Sequence, residues 1–243
     1  MAKFASDVLV IAELQLLRTS RPLWGFLIGT VVFPLPMLFF TRYLLGDVGE
    51  RGPRLIAGSI VFSVGLHTVR ELAQILNMDR FTYRLTLIRG CPIHPFAYAA
   101  GMILAAVVHA VVNSGVVLLC APLFGIGVQL SLWFLPVTVL TAVSLAGIAL
   151  VIGTWAPSWE VGNTMAQVAG VFIVLLSPIY FPVSRLPDWL QVLAHLSPYT
   201  YAANALDGIL SGHGGFQGDT IVLAALTVVC LAVGLGRMRW RET

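Results

Sequence analysis

The chain has 243 residues, 58% of them hydrophobic and only 10% charged, with a mean hydropathy of +0.90 and a formal net charge of +3. A soluble domain of this length carries roughly a quarter charged residues, so the composition excludes one and points to an all-α integral membrane protein. The positive excess reads as the bias of cytoplasmic membrane loops rather than a nucleic-acid signature, and no nucleic-acid partner is expected.

Charges are scattered through Arg21 with no small-residue cleavage motif after them, so no cleavable signal peptide is expected. Residues 1–22 form a leaky amphipathic pattern. Phe4, Val8, Leu9, Ile11 and Leu16 share a broad face opposite Lys3, Ser6, Asp7 and Glu13, while Val10, Leu14 and Leu17 intrude on the polar side. This predicts an interfacial helix on the cytoplasmic surface, with a short buried helix as the alternative. A first span is expected over 23–45, where about 1.5 Å of rise per residue covers the ~30 Å hydrocarbon core with some tilt. Pro34 and Pro36 kink it, and Gly25 and Gly29 form a GxxxG. A second span, 54–76, places Ser59, Ser63, His67, Arg70 and Gln74 on one helical face, a polar stripe deepening toward the far end. Arg70 and Glu71 belong near the membrane surface, in the bundle interior, or on a cytoplasmic extension of that helix.

Residues 77–95 lie outside the bilayer. Arg80, Arg84 and Arg89 flank Leu85, Leu87 and Ile88, which is either a solvated loop or a short docking helix. A third span, 96–119, carries Ala105, His109 and Asn113 four apart on one face, and His109 reads as a helix–helix hydrogen-bond partner rather than a metal ligand. A fourth span, 132–154, and a tight turn lead to a fifth, 161–181. Its Asn163 and Gln167, at i and i+4, must face other helices or an aqueous path. Residues 182–210 are too polar and proline-broken to cross a bilayer, yet too apolar for a wet loop. Leu186, Trp189, Leu190, Leu193 and Leu196 recur at helical spacing between Pro187, which suits a first turn, and Pro198, which closes the helix. Either a re-entrant helical hairpin or a loop with a surface helix fits. A glycine-rich loop and a sixth span, 220–235, complete a single 1–243 membrane domain.

Six spans put both termini on one side. Lys3, Arg18, Arg21, Arg80, Arg84, Arg89, Arg237, Arg239 and Arg241 fall there, against Arg42, Arg51, Arg54 and Arg185 opposite. Both termini are therefore expected in the cytoplasm, with the 77–95 loop inside and the 182–210 hairpin outside.

The chemistry is defined largely by absence. No Walker-type GxxxxGK(S/T) occurs, and Leu210-Ser211-Gly212-His213-Gly214 only mimics an ATPase signature. The histidines His67, His94, His109, His195 and His213 belong to five segments, and Cys91, Cys120 and Cys230 form no CxxC, so no metal site is expected. No paired carboxylates lie within a span, which speaks against an embedded enzyme or a proton-coupled carrier. No catalytic residues and no cofactor of its own are expected in this chain.

The six-span layout, the loop from Asp79-Arg80 through Arg84-Leu85 to Pro92-Ile93-His94-Pro95, and the run Pro178, Phe181-Pro182, Leu186-Pro187-Asp188-Trp189-Leu190, Ser197-Pro198-Tyr199-Thr200-Tyr201 resemble ABC-2 type exporter permeases. The resemblance covers essentially the whole chain and is most specific in its last part. In the cytoplasmic loop Phe81-Thr82-Tyr83 stand where the family often has glycine.

The resemblance implies a permease subunit in the cell membrane, paired with a second permease copy or a paralogue. It implies two separate ATPase subunits, which bind Mg-ATP and dock on the cytoplasmic loop. It further implies export of a hydrophobic or amphipathic cargo, such as a drug, antibiotic, lipid or glycolipid. Arg80, Arg84, Leu85, Leu87, Ile88 and Arg89 would then couple to the ATPase. Ser63, His67, His109, Asn113, Asn163 and Gln167 would line the pathway. Trp189, Tyr199 and Tyr201 would either gate the outer end or only anchor at the interface. The alternative is a non-transporting scaffold or immunity subunit of the same fold.

Overall fold

The computed structural model describes residues 2–20, 39, 52–82, 84–91, 93–176, 179–180, 183, 187–212 and 214–236. The expected first span, 23–45, lies outside them apart from Phe39, as do Arg185, Leu186, His213 and the terminal arginines. The described residues are helical almost throughout, and the elements follow the proline and glycine punctuation of the sequence.

Helix α1 covers Ala2–Ser20 and α2 covers Gly52–Phe81. The short α3, Arg84–Gly90, leads to α4, Pro95–Cys120. Pro95 sits in the first turn of α4, where its missing N–H costs nothing, and His94 Nδ1 accepts from the Phe96 amide at 3.3 Å. A 3-10 turn, Ala121–Phe124, closes α4 on left-handed Gly125. Helix α5 runs Phe134–Trp155 and α6 runs Trp159–Leu176, beyond which only Ile179 and Tyr180 of the expected 161–181 span are described. Helices α7, Asp188–Leu196, and α8, Pro198–Ser211, meet at Ser197, and α9 runs Phe216–Gly236.

Four helical stretches among the described residues are long and apolar enough to cross a membrane: α2, α4 with its 3-10 extension, α5 and α9. They differ in where their surface goes. Helix α2 touches α4, α5, α6 and α8, and 72% of its most apolar window is buried, against 17% for α9. Helix α2 can therefore carry Ser59, Ser63 and Thr68 because it meets protein rather than lipid. In the more apolar helices threonine hydroxyls turn back on their own backbone. Thr138, Thr141, Thr154 and Thr227 each donate to the carbonyl four residues earlier, at 2.7–2.9 Å. That removes the penalty of an unpaired hydroxyl in an apolar medium.

Small residues set the closest crossings. A methyl on Gly147 of α5 would stand 2.6 Å from the Cys230 backbone of α9, and one on Gly101 of α4 would stand 2.7 Å from Ile11 of α1. Helix α1 docks on α4 by burying Ile11 and Ala12, while Phe4, Leu9, Val10, Leu14 and Leu17 stay exposed. The sequence grouped Leu9 and Ile11 on one face. The structure splits them, because α4 takes one side of the helix and leaves a second apolar side for another medium.

Candidate functional site

The polar chemistry of the bundle gathers at three levels along α2. At its C-terminal end, Asp79 is 4% exposed and both of its oxygens are engaged. Arg18 of α1 donates to Oδ1 at 3.0 Å, and the Tyr98 hydroxyl of α4 donates to Oδ2 at 2.8 Å. Arg18 also reaches Met78 Sδ at 2.8 Å. One residue on, the Arg80 guanidinium donates to the carbonyls of Gly153, Thr154 and Ala156 at 3.2, 2.7 and 3.2 Å. These lie at the C-terminus of α5, where the helix has run out of its own donors and its dipole favours a cation. Asn77 donates to the Trp159 carbonyl at 2.9 Å and packs against Gly162, where any side chain would overlap it, so α6 joins the same junction.

The six residues expected to couple to an ATPase divide accordingly. Arg80 is half-buried and held by the carbonyls at the end of α5. Arg84 is exposed, Leu87 is 72% exposed, and Ile88 packs half-buried beside the Leu72–Leu76 core. The side chains of Leu85 and Arg89 lie outside the described set. Helix α3 thus presents a polar and apolar surface on a base tied to α1, α4, α5 and α6. The Arg18–Asp79–Tyr98 set escaped the sequence analysis. Its signal was present as a carboxylate and an arginine at the ends of apolar helices, both too close to the core to remain unpaired.

Midway along α2 the polar stripe meets its partners. His67 and His109 stand edge to face with ring centroids 5.2 Å apart, and His67 Nε2 pairs with Glu71 Oε2 at 2.6 Å. Assigning the histidines to five separate segments treated sequence distance as spatial distance; the packing of α2 on α4 closes it. Ser63 and Asn113 are buried, and the Ser63 hydroxyl and Asn113 Oδ1 have no hydrogen-bond partner among the described residues. Gln74 donates to Asn163 of α6. Gln167, one turn on, is exposed.

At the N-terminal end of α2, α8 runs beside it. The Tyr199 ring is fully buried against Gly65, where any side chain would overlap it. Arg54 donates to Asn204 Oδ1 at 2.7 Å and pairs with Asp207 at 3.6 Å, and Asn204 reaches Asp219 of α9 at 3.4 Å. These groups border a cavity of about 350 Å3. Helix α8 ends on left-handed Gly212, whose alpha carbon is covered by the Gln129 side chain, so the glycine of the signature-like Leu210-Ser211-Gly212 stretch serves as a helix C-cap. Trp189 is 67% exposed on α7, and Tyr201 is half-buried 6.5 Å from the His195 ring. Of the three residues expected at the outer end, Tyr199 lies inside the core, Tyr201 at its edge and Trp189 on the surface.

The model of the ABC-2 type transporter family matches residues 8–210. A 114-residue stretch is 31% identical to Nodulation protein J of Sinorhizobium fredii (strain NBRC 101917 / NGR234), covering 44% of this chain and 43% of that relative's length. The match takes in α1 from Val8 onward, the whole α2 junction, and all but the last residue of α8.

Proposed function

Because the chain belongs to the ABC-2 type transporter family, we propose that it is the permease subunit of an ATP-driven exporter in the cell membrane. In this reading separate ATPase subunits, two per complex, dock on α3, and a second permease copy or a paralogue completes the pathway. Both termini then face the cytoplasm, and the α7–α8 hairpin re-enters from the outer face.

The observation that carries the reading is the junction beneath α3. A force delivered to a short surface helix is useful only if it is not absorbed locally. Asn77, Asp79 and Arg80 connect that base to α1, α4, α5 and α6, so displacement of α3 would carry the bundle as a rigid body. Arg84 and Leu87 supply the exposed contact, one charge for orientation and one apolar side chain for packing. The groups along α2 and its neighbours, Ser63, His67, His109, Asn113 and Asn163, offer hydroxyl, imidazole and amide chemistry. That inventory suits a hydrophobic or amphipathic cargo better than a small, highly charged ion.

The test is purification of the chain from its native membrane with its ATPase, followed by reconstitution. The double variant Arg84→Glu, Leu87→Asp is expected to insert normally yet lose ATP-dependent efflux and the coupling of ATP hydrolysis to it. Unchanged efflux would remove α3 from the coupling role. No associated ATPase and no efflux from the wild-type chain would leave the scaffold reading in its place.

A further inference from the structure

His67 and Glu71 lie one turn apart on α2, and His109 reaches them from α4. One nitrogen of each imidazole and one carboxylate oxygen all lie within 4.8 Å of one another. A tetrahedral ion with bonds of about 2.0–2.1 Å holds its ligand atoms roughly 3.4 Å apart, so modest side-chain rotation brings the three to bonding distance. His67 Nε2 and Glu71 Oε2, at 2.6 Å, need to part slightly; His109 needs to approach. The cluster opens into a cavity of about 20 Å3, also lined by Gln15 and Thr19 of α1. That volume is about the room of one water-sized body.

We propose that His67, Glu71 and His109 form a binding site for one divalent first-row transition ion of the Zn2+ class, cross-linking α2 and α4 beneath α1. Two imidazoles and one carboxylate are the donor set such ions prefer, whereas Mg2+ and Ca2+ take mostly oxygen ligands. Three protein ligands leave the fourth position for water, the pattern of an exchangeable rather than a sealed structural site. Binding engages the His67 Nε2 lone pair, so the hydrogen now shared with Glu71 moves to Nδ1 or leaves to solvent. Ionisable groups among apolar helices are costly unless they are paired or liganded, and an ion holds all three at once. His67 stands two residues from Gly65, where the Tyr199 ring seats, so the ion would also stiffen the part of α2 that carries α8.

The test uses the purified full-length chain in detergent, stripped of metal and carrying no polyhistidine tag, titrated with Co2+ and read by visible d–d absorption. One Co2+ per chain with tetrahedral-type bands, displaced by Zn2+ but not by Mg2+, is expected. Glu71→Gln and His109→Gln are each expected to weaken binding by at least roughly ten-fold, since even indirect partners of metal ligands cost about that much. His94→Gln, remote from the cluster, is expected to bind as wild type. Absence of stoichiometric Co2+ binding in the wild-type chain overturns the proposal, whatever the variants do. So does equal binding by wild type and Glu71→Gln, the variant that best preserves shape. The readout needs no ATPase and no transported cargo, and is independent of the exporter reading.

Discussion

The two ends of α2 are held by different physics. At the Asp79 end the ties reach four other helices around a carboxylate that is 4% exposed. A buried carboxylate has both oxygens engaged, and a guanidinium covers the carbonyls that end α5. At the Arg54 end the ties are side chain to side chain, 2.7 Å to Asn204, 3.6 Å to Asp207 and 3.4 Å between Asn204 and Asp219, beside an open cavity that leaves Asp207 one-third exposed. A buried charge pair is weak evidence of net stability, yet removing one partner is severe because the other charge stays behind. Solvated pairs are forgiving. One end of α2 therefore behaves as a fixed joint and the other as an adjustable one.

Arg18→Ala tests this contrast most strongly. It leaves the buried Asp79 carboxylate with Tyr98 alone, and a loss of about 3 kcal/mol is expected, read as a lowered thermal midpoint of the detergent-solubilised chain. Gly65→Ala comes next. Its methyl overlaps the Tyr199 ring, and relief requires α8 to shift, for a loss of about 2 kcal/mol with greater protease access to residues 187–212. Arg54→Ala is the mildest, at about 1 kcal/mol or less, because Asp207 is already one-third exposed and regains water. If Arg54→Ala costs as much as Arg18→Ala, the two ends are held alike and the contrast fails.

Much of this architecture was written locally. Proline and glycine punctuate the chain at Pro95, Pro198 and Gly212, and the helix boundaries follow them. The apolar spacing of Trp189, Leu190, Leu193 and Leu196 reads directly as a helix, and the structure leaves Trp189, Leu193 and Leu196 exposed along it. Contacts between helices were less legible. Periodicity gives a residue's face but not what stands opposite. His67 and His109 therefore looked isolated, and Arg80 looked like a surface charge although the carbonyls that receive it lie more than seventy residues away. The division of α1 into a docked side and an exposed apolar side was hidden for the same reason. Both sides are greasy, and the side that meets Gly101 of α4 is the one covered.

The burial of α2 also bears on how the chain is made. Its most apolar window has a mean hydropathy of 1.3, against 2.2–2.3 for the other three candidate spans, and Arg70 and Glu71 lie within the helix. Charged positions near the centre of a lone helix oppose insertion by about 2.5–3.5 kcal/mol each, so α2 partitions poorly by itself. Two of the helices that enclose it, α5 and α8, lie over fifty and over a hundred residues further along the chain. During synthesis α2 must wait for both, sheltered by insertion machinery or by water at the membrane surface. Its final seating is thus a late step of biogenesis, and a chain cut before α8 should be a ready substrate for membrane quality control.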